Sequence, residues 1–321
     1  MNVFIASAGR RTSLVLAFKQ AVLPREGRVY AGDMDGLAPA LYLADEAVRL
    51  PRISDPDYIE TLLDLVERYR IRLLIPTLDT ELLLFAQARE AFAERGCLAL
   101  VSSPELIHIT ADKWDTGRVF EERGISVPPS WLPEGLDREA LPENLFVKPR
   151  SGSASQHTYA THRGNLDVVL PRVPNPIIQQ EIRAPELTVD ALLGLDGTPL
   201  HYVPRLRIRT LGGESIQGVT VSDTELRDWL LQVLAVVSEL GGIGPFTLQL
   251  FQTEDGLLLS EINPRFGGGV PLTFRAGGRY PEWLMQQLAG CPAAPRIGQY
   301  QVGLYMTRTY TEHFVEAPLW R

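Results

Sequence analysis

Leu257-Leu258-Leu259-Ser260-Glu261-Ile262-Asn263-Pro264-Arg265-Phe266-Gly267-Gly268-Gly269 is the stretch on which the reading of this chain turns. Residues 257–263 read as a strand, and its two-residue period puts Glu261 and Asn263 on one face. Pro264 ends the strand, Arg265 follows at its tip, and three glycines let a backbone approach a ligand closely. The preceding apolar run, Thr247–Phe251, is separated from it by Glu254-Asp255-Gly256. Glycine in third place suits a three-residue hairpin loop. That loop sets Gln249 opposite Glu261, so Gln249, Glu261 and Asn263 converge. A two-residue loop at Asp255-Gly256 would turn Gln249 to the other face. Hard oxygen donors with few carboxylates and room for phosphate oxygens describe a Mg²⁺–nucleotide site. A hairpin with polar residues on a solvated face is the plain alternative.

Glu261-Ile262-Asn263-Pro264-Arg265-Phe266-Gly267-Gly268-Gly269 closely resembles the metal-binding signature of the ATP-grasp superfamily, in the branch similar to the carbamoyl-phosphate synthase large chain. Further strings fit that resemblance in order. Ala111-Asp112-Lys113 and Phe146-Val147-Lys148-Pro149-Arg150 offer two nucleotide-binding lysines, Lys113 and Lys148. Ser151, Gly152 and Ser153 open the small-residue loop 151–155, which the resemblance places over the phosphates. The family often has Gly where Ala154 and His157 stand. Gln180, Glu181 and Ile182 fit the hinge that meets adenine, and Glu186 fits the ribose contact. Gln249, Glu261 and Asn263 become the metal ligands, with Arg265 and Lys148 as the catalytic cations. The expected cofactors are ATP and Mg²⁺, with Mn²⁺ as the alternative ion.

Outward from these motifs, the first hundred residues alternate strand and helix. Val3–Ala6, Val29–Ala31 and Leu73–Ile75 are expected strands, and Asp57–Arg70 and Thr80–Arg95 expected helices, which argues a parallel sheet. Thr12 or Ser13 is the expected cap of the first helix. The loop Ala8-Gly9-Arg10-Arg11 lacks G-x-G-x-x-G, so a nicotinamide-dependent dehydrogenase is disfavoured. Arg10 or Arg11 is either a substrate anchor or a solvated pair. Asp79 follows a strand end and reads first as part of a helix cap. Ala111–Arg123 and Asp223–Leu240 are expected helices, and Leu145–Pro149 and Ile177–Ile182 strands. From Thr188 onward the pattern turns antiparallel. Arg205, Arg207 and Arg209 alternate along Val203–Thr210 on one face, with one of them expected to face the site.

The expected fold class is α/β and α+β: an ATP-grasp fold preceded by a Rossmann-like parallel α/β domain. The expected domains are 1–102 (N-terminal α/β), 103–182 (small subdomain with the phosphate lid) and 183–321 (C-terminal subdomain with the metal site). The 321 residues are 45% hydrophobic and 22% charged, with net charge −8, which points away from general nucleic-acid binding. Cys97 and Cys291 form no metal or disulfide pattern. No basic leader and no long apolar run is seen, so a cytoplasmic protein without a membrane span is expected. The activity that the resemblance implies is an ATP-dependent carboxylate–amine ligase, proceeding through an acylphosphate to an amide. Its substrates are expected to be small-molecule carboxylates and amines, an amino acid by default, and the assembly a homodimer. The alternatives are a carbamoyl-phosphate-synthase-like subunit, which normally carries two such units where this chain holds one, and a non-catalytic MgATP-binding module.

Overall fold

The structure is a computed structural model, and it describes residues 1–152, 156–211, 214–309 and 311–320. Among the described residues three sheets carry the chain. The first is five-stranded and parallel, in the order β3-β2-β1-β4-β5. Its strands are β1 (Asn2–Ile5), β2 (Val29–Asp33), β3 (Glu46–Arg49), β4 (Ile71–Ile75) and β5 (Leu98–Ala99). β1, β2 and β4 are almost wholly buried, as expected for a sheet covered on both faces. Helix α1 (Thr12–Val22) covers one face, and α2 (Tyr58–Tyr69), α3 (Asp79–Gln87) and α4 (Arg89–Glu94) cover the other.

Three expectations for this region shift. The helix expected over Thr80–Arg95 is two helices broken at Ala88, whose backbone leaves the helical region. Thr12 is the first helical residue, preceded by Arg11, and no side chain caps that helix. Asp79 likewise lies inside its helix, at the first position, and Leu78 is the residue before it.

The second sheet is small, ordered β6-β9-β7-β8: β6 (Ser130–Trp131), β7 (Asn144–Pro149), β8 (Tyr159–His162) and β9 (Pro176–Gln180). It closes over its own core with the short helix α7 (Leu166–Val169). The helix expected over Ala111–Arg123 is the shorter α6 (Lys113–Glu121), and a separate helix that was not expected, α5 (Pro104–Ala111), precedes it. Asp112 breaks the run because its carboxylate caps α6, accepting from the N–H groups of Trp114 (2.8 Å) and Asp115 (3.3 Å).

The third sheet is antiparallel, ordered β14-β13-β10-β11-β12-β15. It contains β10 (Glu186–Leu193), β11 (Pro199–Leu211), β12 (Glu214–Thr220), β13 (Gly244–Thr253), β14 (Gly256–Asn263) and β15 (Tyr305–Thr307). Helix α8 (Arg227–Glu239), shorter than the expected 223–240, packs its apolar side on one face. The other face is polar and looks toward the small sheet. After β14 come α9 (Val270–Arg275) and α10 (Tyr280–Leu288). They share one core with α1 and the parallel sheet, through Phe266, Val270, Tyr280 and Trp283. The chain end returns to the first sheet, where Trp320 donates through Nε1 to the Met34 carbonyl at 3.1 Å.

Candidate nucleotide site

The β13–β14 hairpin places the decisive residues, by a different route from the one expected. Its loop has two residues, Glu254-Asp255, and the closing pair is Thr253 with Gly256. That register alone would face Gln249 away from Glu261. The pairing then shifts between Gln249 and Leu250, where one extra residue, Ser260, is inserted on β14. This β-bulge restores Gln249 opposite Glu261, and Thr247 opposite Asn263. The convergence holds, and a bulge causes it.

The same pairings run on across the sheet. Thr188 stands opposite Gln249 and also opposite Arg205, while Glu186 stands opposite Phe251 and Asp190 opposite Thr247. Period two along each strand therefore gathers Glu261, Asn263, Gln249, Phe251, Glu186, Arg205 and Arg207 on one face. Facing them is the end of β7. Lys148, 8% exposed, is the penultimate residue of that strand. The Lys113 N–H donates to the Arg150 carbonyl at 2.9 Å, which moors the start of α6 beside it. The Lys113 ammonium donates to the Gly152 carbonyl at 2.9 Å. Arg150 is tied to Asp112 by an ion pair of 2.7 Å and is thereby kept out of the cavity.

Between these walls lies a cavity of about 580 Å³. Lys113, Lys148, Ser151, Gly152, Gln180, Glu181, Ile182, Glu186, Gln249, Glu261, Asn263 and Arg265 all line it. Ser153 lies outside the described residues. Arg207 lines it too and is the one of the three β11 arginines that faces the cavity, and Gln179, at the start of the hinge string, lines it as well; Phe146, Phe251 and Ser260 line it without having been expected there. Phe251 was legible in principle, because it lies two residues beyond Gln249 on the same face.

The electrostatics are uneven. Burial pulls the Lys148 ammonium down to a pKa of about 8, while the Glu261 carboxylate raises it and Lys113 lowers it. Asn263 donates to Glu261 Oε1 at 3.3 Å and accepts at Oδ1 from Arg265 at 3.2 Å. Arg265 also reaches Asp79 of α3, at 2.7 Å. The tip of the decisive strand is thus bonded to the parallel domain.

The three arginines of β11 part company. Arg205 is 2% exposed and paired with Asp190 at 3.0 Å, Arg207 pairs with Glu186 inside the cavity, and Arg209 is exposed. Asp190 further accepts from Thr247 (3.2 Å) and Thr273 (2.8 Å). A Cβ on Gly267 would lie 2.3 Å from Thr247 Oγ1, and one on Gly269 2.2 Å from the Arg205 guanidinium carbon. The glycines therefore let the loop close down on Asp190 and Arg205, where a ligand had been expected. On the parallel domain, Glu81 is fully buried. It accepts from Ser7 and Tyr58 (both 2.7 Å) and from the N–H groups of Thr77 and Leu78 (2.6 and 3.0 Å), fixing the loops at the carboxyl ends of β1 and β4.

Among the described residues no cluster of three or more His, Cys, Asp or Glu gathers as a metal cage. One carboxylate, Glu261, with the amide oxygens of Asn263 and Gln249, suits a cation that brings phosphate and water oxygens of its own. No helix of the described residues is long and apolar enough to cross a membrane.

Residues 3–100 match the model of a PylC-like N-terminal domain, and residues 172–309 match that of an ATP-grasp in the biosynthetic pathway with Ter operon. A formate-dependent phosphoribosylglycinamide formyltransferase of Prochlorococcus marinus is 22% identical over 259 residues, 74% of this chain; the match spans 63% of that relative's length. Among solved structures, the biotin carboxylase domain of Hydrogenobacter thermophilus 2-oxoglutarate carboxylase, determined with MgADP, ADP and bicarbonate, superposes with a TM-score of 0.76 at 15% identity. That superposition covers 94% of this chain and 73% of the other. The N5-carboxyaminoimidazole ribonucleotide synthetase of Thermotoga maritima gives 0.66 at 18% identity, covering 92% and 77%. The L-amino acid ligase of Bacillus licheniformis gives 0.68 at 18% identity, covering 89% and 73%. With its parallel N-terminal domain, its lysine-bearing small sheet and the antiparallel sheet that carries the Glu-x-Asn-Pro-Arg strand, this chain has the ATP-grasp fold.

Proposed function

We propose that the chain is an ATP-dependent carboxylate–amine ligase acting on a small carboxylate, with an amino acid as the leading candidate. The observation that carries this reading is the charge pattern of the cavity. Lys113, Lys148, Arg207 and Arg265 converge with Glu181, Glu186 and Glu261 on one space of about 580 Å³. Four cations against three carboxylates, with Glu261 beside Asn263 and Gln249, suit a polyphosphate and its metal rather than an apolar ligand.

In this reading adenine lies against the Gln180–Ile182 hinge and Glu186 accepts from ribose hydroxyls. Ser151 and Gly152 lie over the phosphates. Glu261, Asn263 and Gln249 would hold Mg²⁺, with Mn²⁺ as the alternative, and the ion would supply charge neutralisation at the β- and γ-phosphates. A substrate carboxylate oxygen attacks the γ-phosphorus as the bond to ADP breaks. The amine then attacks the acyl carbon, phosphate leaves, and the nitrogen loses a proton. No protein nucleophile is required. Lys148 and Arg265 stabilise negative charge where it develops, and Lys113 binds the nucleotide phosphates. We take 1–102, 103–182 and 183–321 as three domains, each holding one of the three sheets, with the acceptor entering between the parallel domain and the Gly267–Arg275 segment. A homodimer in the cytoplasm completes the proposal.

The test is ADP and phosphate release from MgATP, assayed against pools of amino acids and small dicarboxylates, with Glu261→Gln alongside. Release that depends on a pool and is lost in the variant supports the ligase. Wild-type turnover in Glu261→Gln refutes the metal assignment. MgATP binding with no release from any pool favours a binding module.

A further inference from the structure

Arg205 and Arg207 leave the same face of β11, whereas one extra residue before Arg209 turns that side chain to the other face, against the expectation that all three share one; of the three only Arg207 both lines the nucleotide cavity and pairs with another cavity residue. Its guanidinium Nη2 bonds Glu186 Oε1. Neither side chain is sealed, with 21% of Arg207 and 32% of Glu186 exposed. The neighbouring pair Arg205–Asp190 differs in kind. It is 3% and 2% exposed, and Thr247 and Thr273 fix it further. Arg205 is therefore locked in place, whereas Arg207 is held by the carboxylate that the proposed function assigns to the ribose.

A carboxylate that receives two vicinal hydroxyls commits both of its oxygens. It then has less to offer a guanidinium already seated on Oε1. Arg207, half-buried in the cavity, needs another anion once Glu186 turns to the sugar, and its planar fork suits a carboxylate or phosphoryl group.

Resting on that assignment of Glu186, we propose that Arg207 is an oxyanion-binding residue of the cavity, held by Glu186 until a nucleotide's ribose takes Glu186 over. Nucleotide binding then prepares the site for the reacting oxyanion, and the two ligands bind with positive coupling. Coupling of this sort is reciprocal, so each ligand tightens the other by the same factor.

The experiment measures the affinity of two oxyanion probes, acetate and inorganic triphosphate, by calorimetry at constant ionic strength. Each is titrated alone, with saturating adenosine, and with saturating 2′,3′-dideoxyadenosine. Adenosine is expected to tighten at least one probe by about fivefold or more, the lower end of typical coupling between sites. Dideoxyadenosine, with no hydroxyls for Glu186, leaves affinity unchanged. Coupling to acetate identifies the oxyanion as the substrate carboxylate, and coupling to triphosphate identifies it as the phosphoryl chain. Arg207→Met removes the coupling, and Arg207→Lys restores part of it. Glu186→Gln gives the tighter probe affinity without adenosine. Adenosine that binds without altering either probe overturns the proposal alone. Adenosine that does not bind overturns it together with the nucleotide reading of the cavity. Coupling that persists in Arg207→Met assigns the effect to another residue and refutes the proposal.

Discussion

Lys148 carries the prediction with the most definite magnitude. The ammonium is 8% exposed, and burial, opposed in part by Glu261, brings it from the ordinary lysine value of 10.5 to about 8. Between these two values the unfolded chain holds a proton at this site that the folded chain lacks. The group's contribution to stability therefore rises with pH through that window and is least favourable below about pH 8. At 1.36 kcal/mol for each pKa unit the burden is about 3 kcal/mol. On the proposed function, a nucleotide polyphosphate at Lys148 would supply the missing counter-charge and return the pKa toward its ordinary value, so binding would draw a proton from solution. The uptake should be roughly a tenth of a proton at about pH 7, half at about pH 8 and nine-tenths at about pH 9. Calorimetric titration of MgADP in buffers of different ionisation enthalpy reads this directly. Lys148→Arg, charged throughout, should bind with no such uptake, and Lys148→Met should bind weakly with none. Uptake that does not rise from about pH 7 to about pH 9, or that persists in Lys148→Arg, would refute the reasoning.

Two further outcomes follow from the loop after β14. Gly267→Ala drives a methyl to within 2.3 Å of Thr247 Oγ1 and 3.0 Å of Asp190 Oδ1; it should cost about 1–3 kcal/mol in urea unfolding and displace Arg265, slowing turnover, whereas unchanged stability would show that the loop yields freely. Asp190→Ala strands the Arg205 guanidinium in the interior and should destabilise by about 3–5 kcal/mol, while Asp190→Ala/Arg205→Met should recover part of that loss in the same assay; no recovery would show that Asp190 acts through Thr247 and Thr273 instead.

Much of the site was legible because its residues lie in short strings with local rules. Glu261 and Asn263 share a face by strand period alone, whatever the strand pairs with. Lys148 precedes a strand-ending proline, and Glu186 opens a strand of apolar residues. The helix calculus was weaker. Thr80–Arg95 and Ala111–Arg123 read as single periodic runs, but a break at Ala88 and the Asp112 cap divide or shorten them. In such places one residue's backbone angles outweigh the propensity of a dozen. The glycine triplet was assigned to a ligand because the residues beneath it come from β10, β11 and β13, far away in sequence.

What the sequence determined by itself was therefore the identity and facing of each chemical group along its own strand, together with the alternation that makes the first sheet parallel. Within an unbroken stretch side-chain direction depends only on neighbouring residues, and so the sequence suffices there, as for Glu261 and Asn263, but not across a bulge. Tertiary structure decided what stands beside each group. The hairpin register, read without its bulge, would have parted Gln249 from Glu261, and the extra residue at Ser260 reunites them. Arg205, Arg207 and Arg209 have the same local pattern and three different fates: one is buried on Asp190, one is set against Glu186 in the cavity, and one is left to solvent. Their partners sit on a strand that pairs antiparallel with theirs, so depth in the sheet, and with it the local dielectric, was fixed only when the strands came together.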